Sequence, residues 1–130
     1  MLFRSGNVSF SGVVDLMVGM PTKGVASRLL IDHKTGGARP EFVEDMRFYA
    51  LLHTLRRGEP PYRVASYFVE TGEWQAEDVT ARVLEHAADR AATAARLAIA
   101  ISEGDLPSSL TPGPYCSWCP RAKTCPSSAA

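Results

Sequence analysis

The chain has 130 residues, and its 14 basic and 14 acidic side chains give a formal net charge of zero at pH 7. This length is typical of one domain, and 45% hydrophobic with 22% charged residues is the composition of a folded rather than a disordered protein. No apolar run of about 18 residues predicts a membrane-spanning helix, and no secretory signal is visible. The zero net charge excludes a uniformly basic DNA-coating protein, but it permits a local positive surface.

The N-terminal half is predicted to form two strands followed by a helix. Residues 7–19 are rich in Val and Phe and indicate the first strand, and residues 25–33 indicate the second. Because only a short turn joins them, we expect antiparallel pairing. Pro40 stands where a helix begins and Gly58 where it ends, and apolar side chains between them recur at helical spacing.

The C-terminal half adds a strand, a long helix and a tail. Residues 62–70 are aromatic and β-branched and indicate a strand, which after a strand and a helix predicts a parallel pair. Residues 76–103 carry a stripe of small apolar side chains and predict a helix with Gly104 as its C-cap. We therefore predict an α/β core over 1–106 and a cysteine-bearing tail over 107–130. Three strands and two helices make a thin domain, so we also expect an N-terminal part to be missing.

Two aspartates and a lysine stand near the ends of the first two predicted strands. Asp15 and Asp32 each follow apolar residues, where an unpaired carboxylate is costly. Antiparallel pairing can bring them together, and two close carboxylates with a hard cation between them suit Mg²⁺ or Mn²⁺. Lys34 shares a strand face with Asp32 and could hold a water or stabilise a phosphoryl oxygen. The spacing alone is equally compatible with two turn aspartates and a solvated lysine.

All three cysteines lie in the tail, as Cys116-x2-Cys119-x5-Cys125. An odd, clustered set is unlike a secreted disulfide scaffold and favours a metal site in a reducing compartment, the cytoplasm. Thiolates close in sequence favour Zn²⁺ or an iron–sulfur cluster over Mg²⁺. Three thiolates do not fill a site that needs four.

The order of four features resembles the PD-(D/E)XK nuclease superfamily. These features are Gly12-Val13-Val14-Asp15, then Ile31-Asp32-His33-Lys34 after a glycine-containing turn, then a helix bearing Tyr49, and finally the cysteine tail. Within it the chain is most similar to the RecB-like branch, which includes AddB helicase–nuclease subunits and CRISPR-associated RecB-like exonucleases. The resemblance implies a restriction-endonuclease-like mixed sheet flanked by helices over the predicted core.

The same resemblance implies roles for individual residues. Asp15 and Asp32 would bind Mg²⁺ or Mn²⁺, together with the backbone carbonyl of His33, and Lys34 would be the catalytic lysine. Tyr49 matches the tyrosine of the family's Gln-x-x-x-Tyr motif near the substrate, whereas Asp45 stands where that motif has glutamine. This change either weakens DNA binding or supplies an extra ligand.

Two other features of the RecB-like branch have no counterpart in this sequence. Its metal-binding histidine precedes the sheet, whereas His33, His53 and His86 all lie downstream of the first strand. Its three tail cysteines hold a [4Fe–4S] cluster together with a fourth, upstream cysteine, which is absent here. Zn²⁺ is the alternative occupant of the tail.

Three functions are compatible with these residues. The leading one is a Mg²⁺-dependent DNA exonuclease that acts on single-stranded or frayed DNA in repair, recombination or CRISPR adaptation, with a helicase or a CRISPR adaptation protein as possible partner. The second is a catalytically inactive DNA- or partner-binding module. The third is a small zinc protein. Arg56, Arg57 and Arg63 could contact phosphates or form an ordinary solvated surface.

Overall fold

The computed structural model describes residues 1–127, and the chain divides into two compact units, Met1–Ala95 and Arg96–Ala130. The strands and helices are β1 (Leu2–Ser5), β2 (Val8–Ser11), β3 (Leu16–Val18), β4 (Leu29–Lys34), α1 (Pro40–Arg57), β5 (Arg63–Phe68), β6 (Glu73–Asp78) and α2 (Ala81–Ser102). None of the helices in residues 1–127 is both long enough and apolar enough to cross a membrane.

The first unit is organised around a four-stranded mixed sheet with the order β3-β4-β5-β6. Strand β4 pairs antiparallel with β3 and parallel with β5, and both pairings confirm the predictions from the sequence. The edge strand β6 pairs antiparallel with β5, and β1 and β2 form a separate hairpin. The architecture confirms the α/β class and is consistent with a restriction-endonuclease-like fold.

The prediction of one strand over residues 7–19 is wrong. This segment forms β2 and β3, which belong to different sheets, and Gly12–Asp15 between them is not a strand. Gly12 lies against Tyr49 of α1, where an added Cβ would stand 2.7 Å from Tyr49 Cε1. A strand was also missed before it: β1 and β2 meet at Gly6-Asn7, and Gly6 has φ +55°, a two-residue turn that favours a hairpin.

The start of the second predicted helix is also wrong. Strand β6 occupies Glu73–Asp78, and α2 begins only at Ala81. Gly72, with φ +72°, permits the reversal after β5. Residues Glu73-Trp74-Gln75-Ala76-Glu77 alternate polar and apolar side chains, which is a strand signal that the prediction missed. Most of β6 is exposed, and it pairs with β5 along its whole length. Strand β4 begins later than predicted, at Leu29.

Helix α1 forms as predicted and covers one face of the sheet. Pro40 occupies its first turn, and Gly58 ends it in the left-handed conformation, with its N–H donating to Thr54 O at 2.8 Å. The buried core includes a cluster of Leu30, Met46, Ala50 and Val64, with Val14, Met17, Tyr49, Val79 and Leu84 packed against it. This core holds α1 on the face of β4 that carries the predicted site residues.

The second unit contains the end of α2 and the cysteine tail. Gly104, the predicted C-cap, follows α2 with φ +82°, and its N–H donates to Ile101 O at 3.2 Å. The tail forms two short 3₁₀ helices, Pro114–Trp118 and Ala122–Thr124. Whether a domain boundary lies at residue 106 stays a prediction.

Candidate active site

The predicted lysine and the second predicted aspartate form a close ion pair at the end of β4. Lys34 Nζ lies 2.8 Å from Asp32 Oδ2, and the two side chains are only 12% and 11% exposed. Side chains two residues apart share a strand face, and Leu30 in the core shows that this face looks toward α1. The fold therefore places a mostly buried ion pair at the edge of the apolar core.

Helix α1 supplies two further contacts to the lysine. Asp45 Oδ2 lies 3.4 Å from Lys34 Nζ, and the ammonium group stands 4.5 Å from the centre of the Phe42 ring. Burial lowers the pKa of Lys34, but the hydrogen bond and charge of Asp32, joined by Asp45, outweigh it and raise that pKa above its ordinary value. The ammonium group is therefore firmly protonated, which suits it for binding a phosphate oxygen.

Asp15 lies just before β3, outside the sheet ladder. Its Oδ2 accepts the backbone N–H of His33 at 2.7 Å and lies 3.4 Å from the His33 ring Nδ1. The backbone hydrogen bond is the main reason that the pKa of Asp15 falls below its ordinary value, and the charge of His33 adds to it. Leu16 pairs with Ile31, so continuing this register by one residue places Asp15 opposite Asp32.

Tyr49 stands beside this group of charges. It is partly buried against the core and packs on Gly12. Burial raises the pKa of its hydroxyl, and the negative charge of Asp32 raises it further. The charges of Lys34, Asp45 and Asp15 also influence that hydroxyl, so the structure brings all five predicted side chains into one neighbourhood.

The family model of the PD-(D/E)XK nuclease superfamily matches residues 1–126. The chain belongs to this superfamily. No curated protein matches the sequence. Membership in this superfamily suggests a nuclease that acts on DNA. That the chain belongs to the RecB-like, AddB-like or CRISPR-associated branch stays a prediction.

The superfamily's dependence on divalent metal is compatible with the oxygen donors at this site. Asp15 and Asp32 provide carboxylate oxygens, and a backbone carbonyl at His33 would be a third hard donor of the kind that Mg²⁺ and Mn²⁺ bind. Across residues 1–127, no three His, Cys, Asp or Glu side chains are grouped to hold a metal ion. The two carboxylates would therefore need backbone or water oxygens to complete a metal site.

The predicted metal role of the cysteines has less support in the structure. Cys116, Cys119 and Cys125 are free, half-buried thiols in and beside the short 3₁₀ helices. The backbone N–H of Gly113 donates to Cys116 Sγ at 3.4 Å. A four-thiolate cluster does not fit three cysteines.

Two residues near the lysine were missed as site residues. The ring of Phe42, an apolar side chain of α1, lies beside the Lys34 ammonium group. Ser66 of β5 is 1% exposed and pairs in register with Asp32. The i, i+3 spacing of Phe42 and Asp45 on α1 is a signal that could have identified Phe42.

Other aromatic and basic side chains lie in different surroundings. His33 and Tyr67 pair in register and their rings meet edge-on at 6.0 Å, while Trp74 lies 4.6 Å from Tyr67 and is 57% exposed. Arg63 binds Asp78 at 2.7 Å. Arg56 and Arg57 have other surroundings, since Arg56 reaches Leu2 O at 3.4 Å and Arg57 lines a cavity. Their contact with phosphates stays a prediction.

Proposed function

We propose that this chain is a Mg²⁺- or Mn²⁺-dependent DNA exonuclease of the cytoplasm that hydrolyses phosphodiester bonds at Asp15, Asp32 and Lys34. The observation that carries the proposal is the ion pair at the end of β4, where Lys34 Nζ lies 2.8 Å from Asp32 Oδ2 at the edge of the core. A protonated amine beside carboxylates is the combination of groups that phosphodiester hydrolysis requires. Superfamily membership over residues 1–126 supports the same chemistry.

Each residue has a distinct part in this proposal. Asp15, Asp32 and the carbonyl of His33 would hold the metal ion, which when bound supplies Lewis-acid activation of the phosphate and of a water molecule. Lys34 donates a hydrogen bond to a phosphate oxygen or orients the attacking water, and its raised pKa keeps it charged in neutral solution. Tyr49, partly buried beside Asp32, positions the DNA strand.

The proposed substrate is single-stranded DNA or the frayed end of a duplex, in repair, recombination or CRISPR adaptation. This preference rests on the similarity of the motifs to the RecB-like branch. A helicase or a CRISPR adaptation protein would be the partner that supplies such ends, since no P-loop motif is present in this sequence.

The test is cleavage of end-labelled single-stranded DNA in Mg²⁺ or Mn²⁺. We expect cleavage by the parent protein, none with EDTA, and a loss of at least about a hundredfold in Lys34→Ala, as is typical when a group that stabilises transition-state charge is removed. Lys123→Ala removes an exposed tail lysine as the matched control and should keep parental activity. Comparing labels at the 5′ and 3′ ends gives the polarity. Activity retained in Lys34→Ala would contradict the proposal.

One contact favours the second candidate, a binding module without catalysis. Asp45, where the resembling motif has glutamine, lies 3.4 Å from the lysine that catalysis needs. A second carboxylate on Lys34 competes with the phosphate for its ammonium group. If this contact suppresses catalysis, Asp45→Gln should increase cleavage. Three results together would favour the binding module. The parent and Asp45→Gln would both fail to cleave DNA, the parent would still bind Mn²⁺, and Asp32→Ala would abolish that binding.

The role of the tail is a separate proposal. Cys116, Cys119 and Cys125 would contribute three thiolates to a [4Fe–4S] cluster or a Zn²⁺ site whose remaining ligand comes from outside these three residues. Metal and sulfide analysis of the purified protein separates the two, and iron with sulfide would exclude a small zinc protein. Cys119→Ser should lower the bound metal in either case.

A further inference from the structure

A cavity of about 320 Å³ lies where the chain enters β4 and leaves α1, and the catalytic candidates take no part in it. Its walls come from the β3–β4 connection, the last turns of α1 and the loop before β5. The basic residues among them are Lys23, Arg28 and Arg57, joined by His53. Arg57 follows Asp45 by twelve residues of one helix, a rise of about 18 Å, so the cavity is distinct from the Lys34 site.

Positive charge in this cavity is poorly compensated. Within residues 1–127, Lys23, Arg28 and Arg57 form no ion pair, whereas Arg47 and Arg63 are each bound to carboxylates. Glu59 is the one acidic residue in the wall, and its carboxylate accepts the N–H of Gly24. Three cations face one carboxylate that already has a backbone partner, so the cavity attracts anions.

His53 makes this cavity more than a basic surface. It is 4% exposed, and its Nδ1 lies 3.1 Å from the carbonyl oxygen of Glu59. A neutral ring that donates from Nδ1 to this carbonyl has a lone pair on Nε2. Within residues 1–127, every side-chain nitrogen or oxygen that is fully buried has a hydrogen-bond partner. Nε2 of His53 has no protein partner, so this atom is not fully buried and opens toward the cavity that His53 lines.

The charges around His53 act on its protonation. Burial lowers the pKa of His53, and the positive charges of Arg57 and Arg28 lower it further, although the carbonyl of Glu59 opposes them. An anion bound among these cations would neutralise part of their field and let Nε2 take up a proton as a further donor.

We propose that this cavity is a phosphate-binding site, in which Arg28 and Arg57 bind the phosphate oxygens and His53 donates from Nε2. Arginine suits phosphate because its planar group donates two parallel hydrogen bonds. The volume is at the lower end of the range for small-ligand pockets, which fits a mononucleotide or a terminal phosphate better than a large cofactor. The site does not depend on nuclease activity.

Binding is measured on the full chain in EDTA, by calorimetry with inorganic phosphate and thymidine 5′-monophosphate. Saturable binding is expected, weakened about tenfold by Arg57→Gln and by Arg28→Gln. Arg56→Gln removes the same charge from the same helix turn outside the cavity and should leave the affinity within about twofold. Absence of saturable binding, or an equal loss in Arg56→Gln, would overturn the proposal.

His53 provides a second, independent measurement. In an NMR titration, saturation with phosphate should raise the pKa of His53, while His86 on α2, which lies outside the cavity, should not respond. An unchanged His53 would contradict the assigned role of its ring. A comparison of trithymidylate that carries a 5′-phosphate with trithymidylate that carries a 5′-hydroxyl tests whether the bound phosphate belongs to a DNA strand end. A strand end should bind only in the phosphorylated form. Weaker binding of the phosphorylated trinucleotide than of the mononucleotide would assign the site to small phosphates.

Discussion

Removing the Lys34 ammonium group should destabilise the fold even without metal or DNA. Lys34→Met leaves Asp32, which is 8% exposed, without its partner at 2.8 Å. Loss of one partner of a buried pair costs about 3–5 kcal/mol, and the residual exposure of both side chains reduces this to roughly 2–3 kcal/mol. For a domain of this size that loss lowers the Tm by roughly 10 °C.

The assay is urea and thermal unfolding in EDTA at neutral pH, arranged as a double-mutant cycle. Asp32→Asn alone should cost less than Lys34→Met, because Lys34 keeps Asp45 at 3.4 Å. The double variant should show a coupling energy of about 1–2 kcal/mol. Lys123→Met, a change at an exposed position, should stay within about 0.5 kcal/mol of the parent. If the free energy of unfolding of Lys34→Met were also within about 0.5 kcal/mol of the parent, the ammonium group would be fully hydrated and the ion pair would not be buried.

Two further predictions concern the loop before β3. Gly12→Ala should destabilise the protein by about 1–3 kcal/mol in urea unfolding, since the new Cβ would stand 2.7 Å from Tyr49 Cε1. Gly37→Ala, where no atom lies within 4 Å, is the control, and an equal effect of both would refute the close packing. The pKa of Asp15 is lowered from 3.8 by the N–H of His33, so this carboxylate contributes stability above that value and loses it as the pH falls through the lower folded pKa. Asp15→Asn should flatten the acid limb of Tm against pH below about pH 4, and an unchanged limb would contradict the bond.

The centre of the fold follows from local features of the sequence. Pro40 and Gly58 delimit α1, and the strand–helix–strand order favours the parallel pairing of β4 and β5 that the structure shows. These features are readable because helix caps and hydrophobic period act over a few residues. The alternation of side chains along β4 likewise placed Asp32 and Lys34 on one face.

The edges of the fold were not readable in the same way. Strand β6 has no buried side chain, so the alternation of polar and apolar residues along it does not mark a face of the core. Between β2 and β3, Gly12 meets Tyr49, which is 37 positions later in the chain. The contact between Gly12 and Tyr49 leaves no periodic trace in the local sequence.

The sequence by itself determined which groups stand at the end of β4 and the helix that covers them, because strand alternation and helix capping are local. Only the tertiary structure decided that Lys34 divides its contacts between Asp32 and Asp45. It alone also brought Arg28 and Arg57 to one cavity with His53. Ion pairing and desolvation depend on distances between remote segments, and these are fixed only when the core closes around them.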